Sequence, residues 1–158
     1  MVGQVIELLT PEDTRALGRS LGAGLRAGDL VLLSGRLGAG KTVLTQGIAE
    51  GLEVSGRVSS PTFVIARSHP AGQRGVPLVH VDAYRLGGDL AQLDDLDLDT
   101  DLERAALVVE WGEGVAEMLA DDYLMVRLER REDETRLVSF EPHGAWDRRA
   151  LPVAREDA

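Results

Sequence analysis

An eight-residue stretch, Gly35-Arg36-Leu37-Gly38-Ala39-Gly40-Lys41-Thr42, has the G-x-x-x-x-G-K-T form of a phosphate-binding loop, and no other feature constrains this chain as strongly. The apolar run Leu30-Val31-Leu32-Leu33-Ser34 before it reads as a buried strand. The segment 43–52 after it reads as a helix with Leu44, Ile48 and Leu52 on one side. Glycines let such a loop turn tightly and aim its amides at phosphate oxygens, and the helix N-terminus adds a favourable dipole. Among 17 basic side chains Lys41 is the only lysine, placed where a phosphate needs an ammonium, and the Thr42 hydroxyl suits Mg²⁺. A chance glycine-rich turn is the plain alternative; an eight-residue match between strand and helix favours nucleoside-triphosphate binding.

A chain of 158 residues has room for one sizeable domain. We expect a single P-loop domain over 1–144 and a polar, frayed tail over 145–158. No apolar stretch approaches bilayer-spanning length, and the N-terminus has neither the basic nor the long apolar segment of a signal peptide. Zero cysteines exclude disulfides and thiolate metal sites. Cytoplasmic residence is therefore the expectation. The net charge of -10 argues against broad nucleic-acid contact, which needs a basic stripe.

Residues 5–9 alternate as a first strand. Thr10-Pro11-Glu12-Asp13 then has the form of a helix start: Thr10 can cap, and Pro11 fits the first helical position. Leu17, Leu21 and Leu25 mark the apolar side of a helix running to about Arg26. The segments 63–67 and 78–82 read as an antiparallel hairpin with a loose tip, and 123–130 with 135–140 as a second. The acidic segment 86–102 suits one or two short surface helices, and 115–119 a short helix or turn. The fold class is α/β, a P-loop NTPase-like three-layer sandwich with a mixed central sheet and antiparallel hairpins.

A P-loop enzyme also needs a carboxylate for the metal and a group that positions the attacking water. Leu78-Val79-His80-Val81-Asp82 and Ala106-Leu107-Val108-Val109-Glu110 both end an apolar run in an acid. Ligands of open α/β sheets lie beyond the carboxyl ends of the strands, so both acids can converge near Thr42. Either alone can be a solvated strand end; two together are less easily dismissed. Ser60-Pro61-Thr62 is a candidate nucleotide-sensing segment, or merely a self-bonded turn. Trp111 is a candidate at the site's mouth, or an edge-of-core side chain. Arg85 and Arg136 are candidate phosphate contacts, although arginines are plentiful here. His80 is taken as structural, facing away from the active edge.

In this order and spacing, Ser34-Gly35 through Thr42, Ser60-Pro61-Thr62-Phe63, His80-Val81-Asp82-Ala83-Tyr84-Arg85-Leu86 and Glu110-Trp111-Gly112-Glu113 are specific. Over about residues 5–140 the chain resembles the TsaE family, small P-loop ATPases of bacterial tRNA threonylcarbamoyladenosine biosynthesis. The resemblance implies Mg²⁺-dependent ATP binding and slow hydrolysis to ADP and phosphate. It also implies partnership with a TsaD-like threonylcarbamoyltransferase and a TsaB-like protein that modify adenosine 37 of tRNA, with tRNA met only through that complex and no membrane. Carried over by motif, Thr42 and Glu110 bind Mg²⁺, and Asp82 contacts nucleotide or catalytic water. Gly35, Gly38, Ala39, Gly40, Lys41, Thr42 and Val43 cradle the phosphates. Thr10 and Arg136 lie near the nucleotide, with Lys41, Asp82 and Glu110 as the catalytic set. Ser60, Thr62, Tyr84, Arg85 and Trp111 are candidate switch or partner-coupling residues. The segment 98–105 departs from the aromatic-containing stretch usual before the Glu-Trp strand, which bears on the partner surface.

Two other classes stand beside this one. A small-molecule or nucleoside kinase needs an acceptor pocket and a basic lid, and Arg130-Arg131 and Arg148-Arg149 form no convincing one. A nucleotide-gated assembly factor would bind without appreciable turnover. A GTPase reading guanine through N-K-x-D is excluded, since the single lysine is already in the loop.

Overall fold

A computed structural model describes residues 5–35, 40–54, 66–82, 103–110, 122–133 and 135–149. Along the chain it places β1 (Val5–Leu8), α1 (Pro11–Ala23), β2 (Leu30–Ser34), α2 (Lys41–Leu52), β3 (Ala66–His69), β4 (Leu78–Asp82), β5 (Ala106–Glu110), β6 (Tyr123–Arg130), β7 (Arg136–His143) and a 3-10 helix (Gly144–Arg148). The strands form one mixed sheet in the order β1-β7-β6-β2-β5-β4-β3. The four inner strands β6, β2, β5 and β4 run parallel, and antiparallel partners close both edges. Parallel strands need both faces covered. One face carries Val31, Leu33, Ala106, Val108, Leu124 and Val126 under α1 and α2, and the other equally buries Leu30, Leu32, Leu107 and Val109. This is the α/β, P-loop NTPase-like sandwich that the strand-loop-helix pattern implied.

The start of α1 is fixed locally. Thr10 Oγ1 accepts from Asp13 N at 3.1 Å, and Asp13 Oδ2 accepts from Thr10 N at 3.2 Å, a reciprocal capping box with Pro11 at the first helical position. The helix stops at Ala23, short of the expected Arg26. Its end is met from the β3–β4 connection, where the Arg74 guanidinium donates to Gly22 O at 2.8 Å and Leu25 O at 2.9 Å. Those carbonyls thus find partners without further helix.

Helices α1 and α2 lie backbone to backbone. Methyl groups built on Gly18 and Gly22 of α1 would come within 2.4 Å of Leu44 O and 2.1 Å of Ile48 O. The approach is reciprocal, since a methyl group built on Gly51 of α2 would come within 2.2 Å of Arg19 O. Above this seam Glu50 accepts from Arg15 and Arg19, and the hydrogen bond from Arg15 is the first cause holding the Glu50 carboxyl below its ordinary range.

Two expectations change. Of the tail over 145–158, residues 150–158 lie outside the described residues, but Gly144–Arg148 forms a helical turn with Trp146 only 4% exposed in the core. Arg149 then stacks 3.8 Å from the Trp146 ring and reaches Asp29 Oδ1 at 2.6 Å. A large aromatic and an ion pair hold a segment whose composition is polar. Strand β7 likewise extends to His143, past the expected Phe140, because its last residues pair with the start of β6. The expected strand start at 63–65, the helices within 86–102 and the turn at 115–119 lie outside the described residues.

Candidate nucleotide site

Strand β2 delivers Ser34 and Gly35 to the carboxyl edge of the sheet, and α2 returns from that edge at Lys41. Gly40 precedes the helix with φ 104°, in the left-handed region that only glycine occupies without strain. From there Gly40 O accepts the first helical bond from Leu44 N at 2.9 Å. Thr45 is turned inward, its hydroxyl donating to Lys41 O at 2.8 Å. As the N-cap, Gly40 offers no capping side chain of its own to the first-turn amides of α2. Lys41, Thr42 and Val43 are all half-buried. Amides of this kind, with the helix dipole behind them, attract an anion.

The acids come from the parallel strands beside β2. Glu110 is the register partner of Leu33 on β2 and of Asp82 on β4. In-register residues of parallel strands share a face, so Glu110 continues the row Ala106, Val108 on the side covered by α1 and α2. An apolar row thus ends in a carboxylate only 5% exposed, on the face against which α2 packs. Asp82 occupies the neighbouring position on β4, one strand spacing away. The sequence expectation for His80 fails here. Residues two apart in a strand share a face, so positions 80 and 82 lie together. His80 Nε2 stands 2.8 Å from Glu110 Oε2.

Arg136 and a residue not anticipated, Thr14, flank the loop's last glycine. A methyl group on Gly40 would sit 3.7 Å from Arg136 Nε and 3.8 Å from Thr14 Cγ2. Thr14 is 1% exposed and its Oγ1 has no hydrogen-bond partner among the described residues. It follows Thr10 by one helical turn, the only sequence signal that could have found it. Thr10 itself is occupied as the α1 cap. A cleft of about 860 Å³ opens beside Ser34 and Gly35, lined also by Val5, Arg127, Leu137 and Ser139. By strand alternation those four side chains lie on the face opposite Glu110. Gly38, Ala39, Ser60, Thr62, Tyr84, Arg85 and Trp111 lie outside the described residues, and for Asp82 only the backbone is described.

Residues 8–138 match the family described as Threonylcarbamoyl adenosine biosynthesis protein TsaE. The chain belongs to the TsaE family. A relative from Streptomyces coelicolor, named tRNA threonylcarbamoyladenosine biosynthesis protein TsaE, is 60% identical over 121 residues, spanning 77% of this chain and 82% of that protein. The protein of the same name from Mycobacterium tuberculosis is 54% identical over 144 residues, spanning 87% and 83%. The crystal structure of Bacillus subtilis YdiB superposes with a TM-score of 0.76 at 30% identity, covering 94% of this chain and 92% of that one. The matched residues cover the whole strand-loop-helix unit and both acid-tipped strands of this chain.

Among the described residues no three His, Cys, Asp or Glu side chains cluster to form a preassembled metal cage. The Thr42 hydroxyl and the Glu110 carboxylate are each oxygen donors of the kind Mg²⁺ takes. That ion prefers hard oxygen ligands and commonly takes only one or two from protein, the rest coming from phosphate and water. No described helix of the chain is long and apolar enough to cross a membrane.

Proposed function

We propose that this protein binds Mg²⁺-ATP at residues 35–43 and hydrolyses it slowly to ADP and phosphate, supporting a TsaD-like transferase and a TsaB-like protein in threonylcarbamoylation of tRNA adenosine 37. The names of its relatives support the pathway. The observation that carries the chemistry is Glu110, a buried carboxylate on the helix-covered face, next in register to the strand that feeds Gly35.

In this reading the amides of Lys41, Thr42 and Val43 hold phosphate oxygens, and the Lys41 ammonium neutralises charge on the β- and γ-phosphates. Thr42 and Glu110 hold Mg²⁺, which screens phosphate charge when bound. Asp82, at the facing strand tip, orients a water whose oxygen bonds to the γ-phosphorus while the bond to the β–γ bridging oxygen breaks. ADP and phosphate leave, and a proton passes to solvent. Arg136, beside Gly40, contacts the nucleotide.

Phosphate release from ATP, measured with and without the TsaD and TsaB partners, tests the proposal. Stimulation by the partners, abolished by Lys41→Ala, is expected. Phosphate appearing only on an added small-molecule acceptor would replace the reading by a kinase. Tight ATP binding with no release, even in the full complex, would leave a nucleotide-gated assembly factor.

A further inference from the structure

His80 is 0% exposed; its row on β4 runs from Leu78 to Asp82, and its register partners are Val108 on β5 and Arg67 on β3. Its Nε2 lies 2.8 Å from Glu110 Oε2, while its Nδ1 is buried without a hydrogen-bond partner among the described residues. For packing alone this is a poor choice. An imidazole nitrogen buried without a partner keeps its desolvation penalty, and a leucine would fill the space without it. The return is the bond to Glu110. Toward an ionised carboxylate, which only accepts, Nε2–H is the donor. That commits Oε2 and fixes the direction of Oε1.

Glu110 needs such a restraint. Its register partner on β4 is a second acid, Asp82. A glutamate with three rotatable bonds has many ways to turn aside. Mg²⁺ tolerates little of this, because it demands near-octahedral geometry at about 2.0–2.1 Å from its ligands.

We propose that His80 is a positioning residue, whose Nε2–H clamps one oxygen of Glu110 so that the other is presented to the divalent cation of the nucleotide site. The inference rests on the reading of Glu110 as a Mg²⁺ ligand. Groups that orient metal ligands in this way are typically worth about 10–100-fold in metal affinity.

The test is calorimetric titration of ADP with and without Mg²⁺, on wild type and three variants. His80→Leu removes the donor at similar volume and should cut the Mg²⁺-dependent gain in ADP affinity by about 10-fold or more, leaving metal-free affinity nearly unchanged. His80→Gln keeps an N–H able to reach Glu110 and should recover most of the gain. If His80→Gln falls as far as His80→Leu, the effect is packing and the proposal fails. Glu110→Gln separates the two levels. Should it lose the gain while His80→Leu keeps it, His80 has no positioning role although the metal reading stands. Should Glu110→Gln keep the gain, the metal reading falls and this inference falls with it. Should His80→Leu not fold, ¹⁵N NMR of the wild-type imidazole without nucleotide decides. A protonated Nε2 is expected, and a bare Nε2 overturns the clamp.

Discussion

Gly47 lies directly against the backbone of Arg15: a methyl group on Gly47 would come within 2.2 Å of the Arg15 carbonyl oxygen. The same glycine's partner across the seam is Gly18, whose Cα would be 3.0 Å from that methyl. Neither neighbour is a flexible side-chain end, so the helices would have to separate. Because α2 begins at Lys41, the seam sets where the nucleotide loop's helix stands over the sheet. Alanine is intrinsically the better helix residue by about 1 kcal/mol, which makes the sign of the substitution informative. Gly47→Ala should still destabilise by about 1–3 kcal/mol in urea unfolding, because overpacking outweighs propensity. Gly24→Ala, whose methyl would make only an ordinary 3.7 Å contact, should be nearly neutral.

At Gly40 the obstacle is conformational. The nearest atoms to an added methyl are 3.7 Å and 3.8 Å away, but φ is 104°. Gly40→Ala should cost about 1–3 kcal/mol of stability, or relax the turn and misdirect the first-turn amides. Either route predicts weaker ADP binding by calorimetry, with the far-ultraviolet dichroism of the fold retained.

Arg136 borders the same glycine. Arg136→Ala should reduce ADP affinity by about 10-fold or more, the scale of a lost charge-assisted hydrogen bond. Arg136→Lys should recover only part of it, since an ammonium cannot reproduce the planar fork. Unchanged affinity in both variants would place Arg136 outside the nucleotide contacts.

The end of the chain carries stability that its composition does not advertise. Trp146→Ala should cost about 3–5 kcal/mol, as deletion of a buried aromatic does. Arg149 donates to both Asp29 oxygens, at 2.6 Å and 3.0 Å, and to Gly24 O at 2.8 Å. Arg149→Ala should therefore lower the thermal midpoint as well, whereas a frayed tail would leave it unmoved.

Acid should loosen the α1–α2 surface cluster. Hydrogen bonds from Arg15 and then Arg19 lower the Glu50 pKa in the folded state. The contribution is thus fully present above the unfolded carboxylate value near ~4.3 and is lost as pH falls through the lower folded value. Glu50 is substantially exposed, so the effect is small, about 0–1 kcal/mol. Urea midpoints of wild type and Glu50→Gln should differ about equally at about pH 7 and about pH 5, and converge as pH falls below the unfolded carboxylate range.

Local chemistry accounts for what the sequence alone determined. The loop motif, the Thr10 cap with Pro11, and the apolar runs of β2, β4 and β5 depend on residues within a few positions of one another. Each is therefore written in linear order. So was the pair of acids at two strand tips, because a parallel sheet delivers its carboxyl ends to one edge. The contacts that only tertiary structure decided join residues far apart in the chain. Strand register carries His80 to Glu110, thirty residues on. The interhelical seam brings Gly47 to Arg15, and burial of Trp146 brings Arg149 to Asp29. Alternation within β4 put His80 on the acids' side, but the bond itself depended on which strand lies next to β4. That choice is made by packing both sheet faces at once, and no local pattern encodes it.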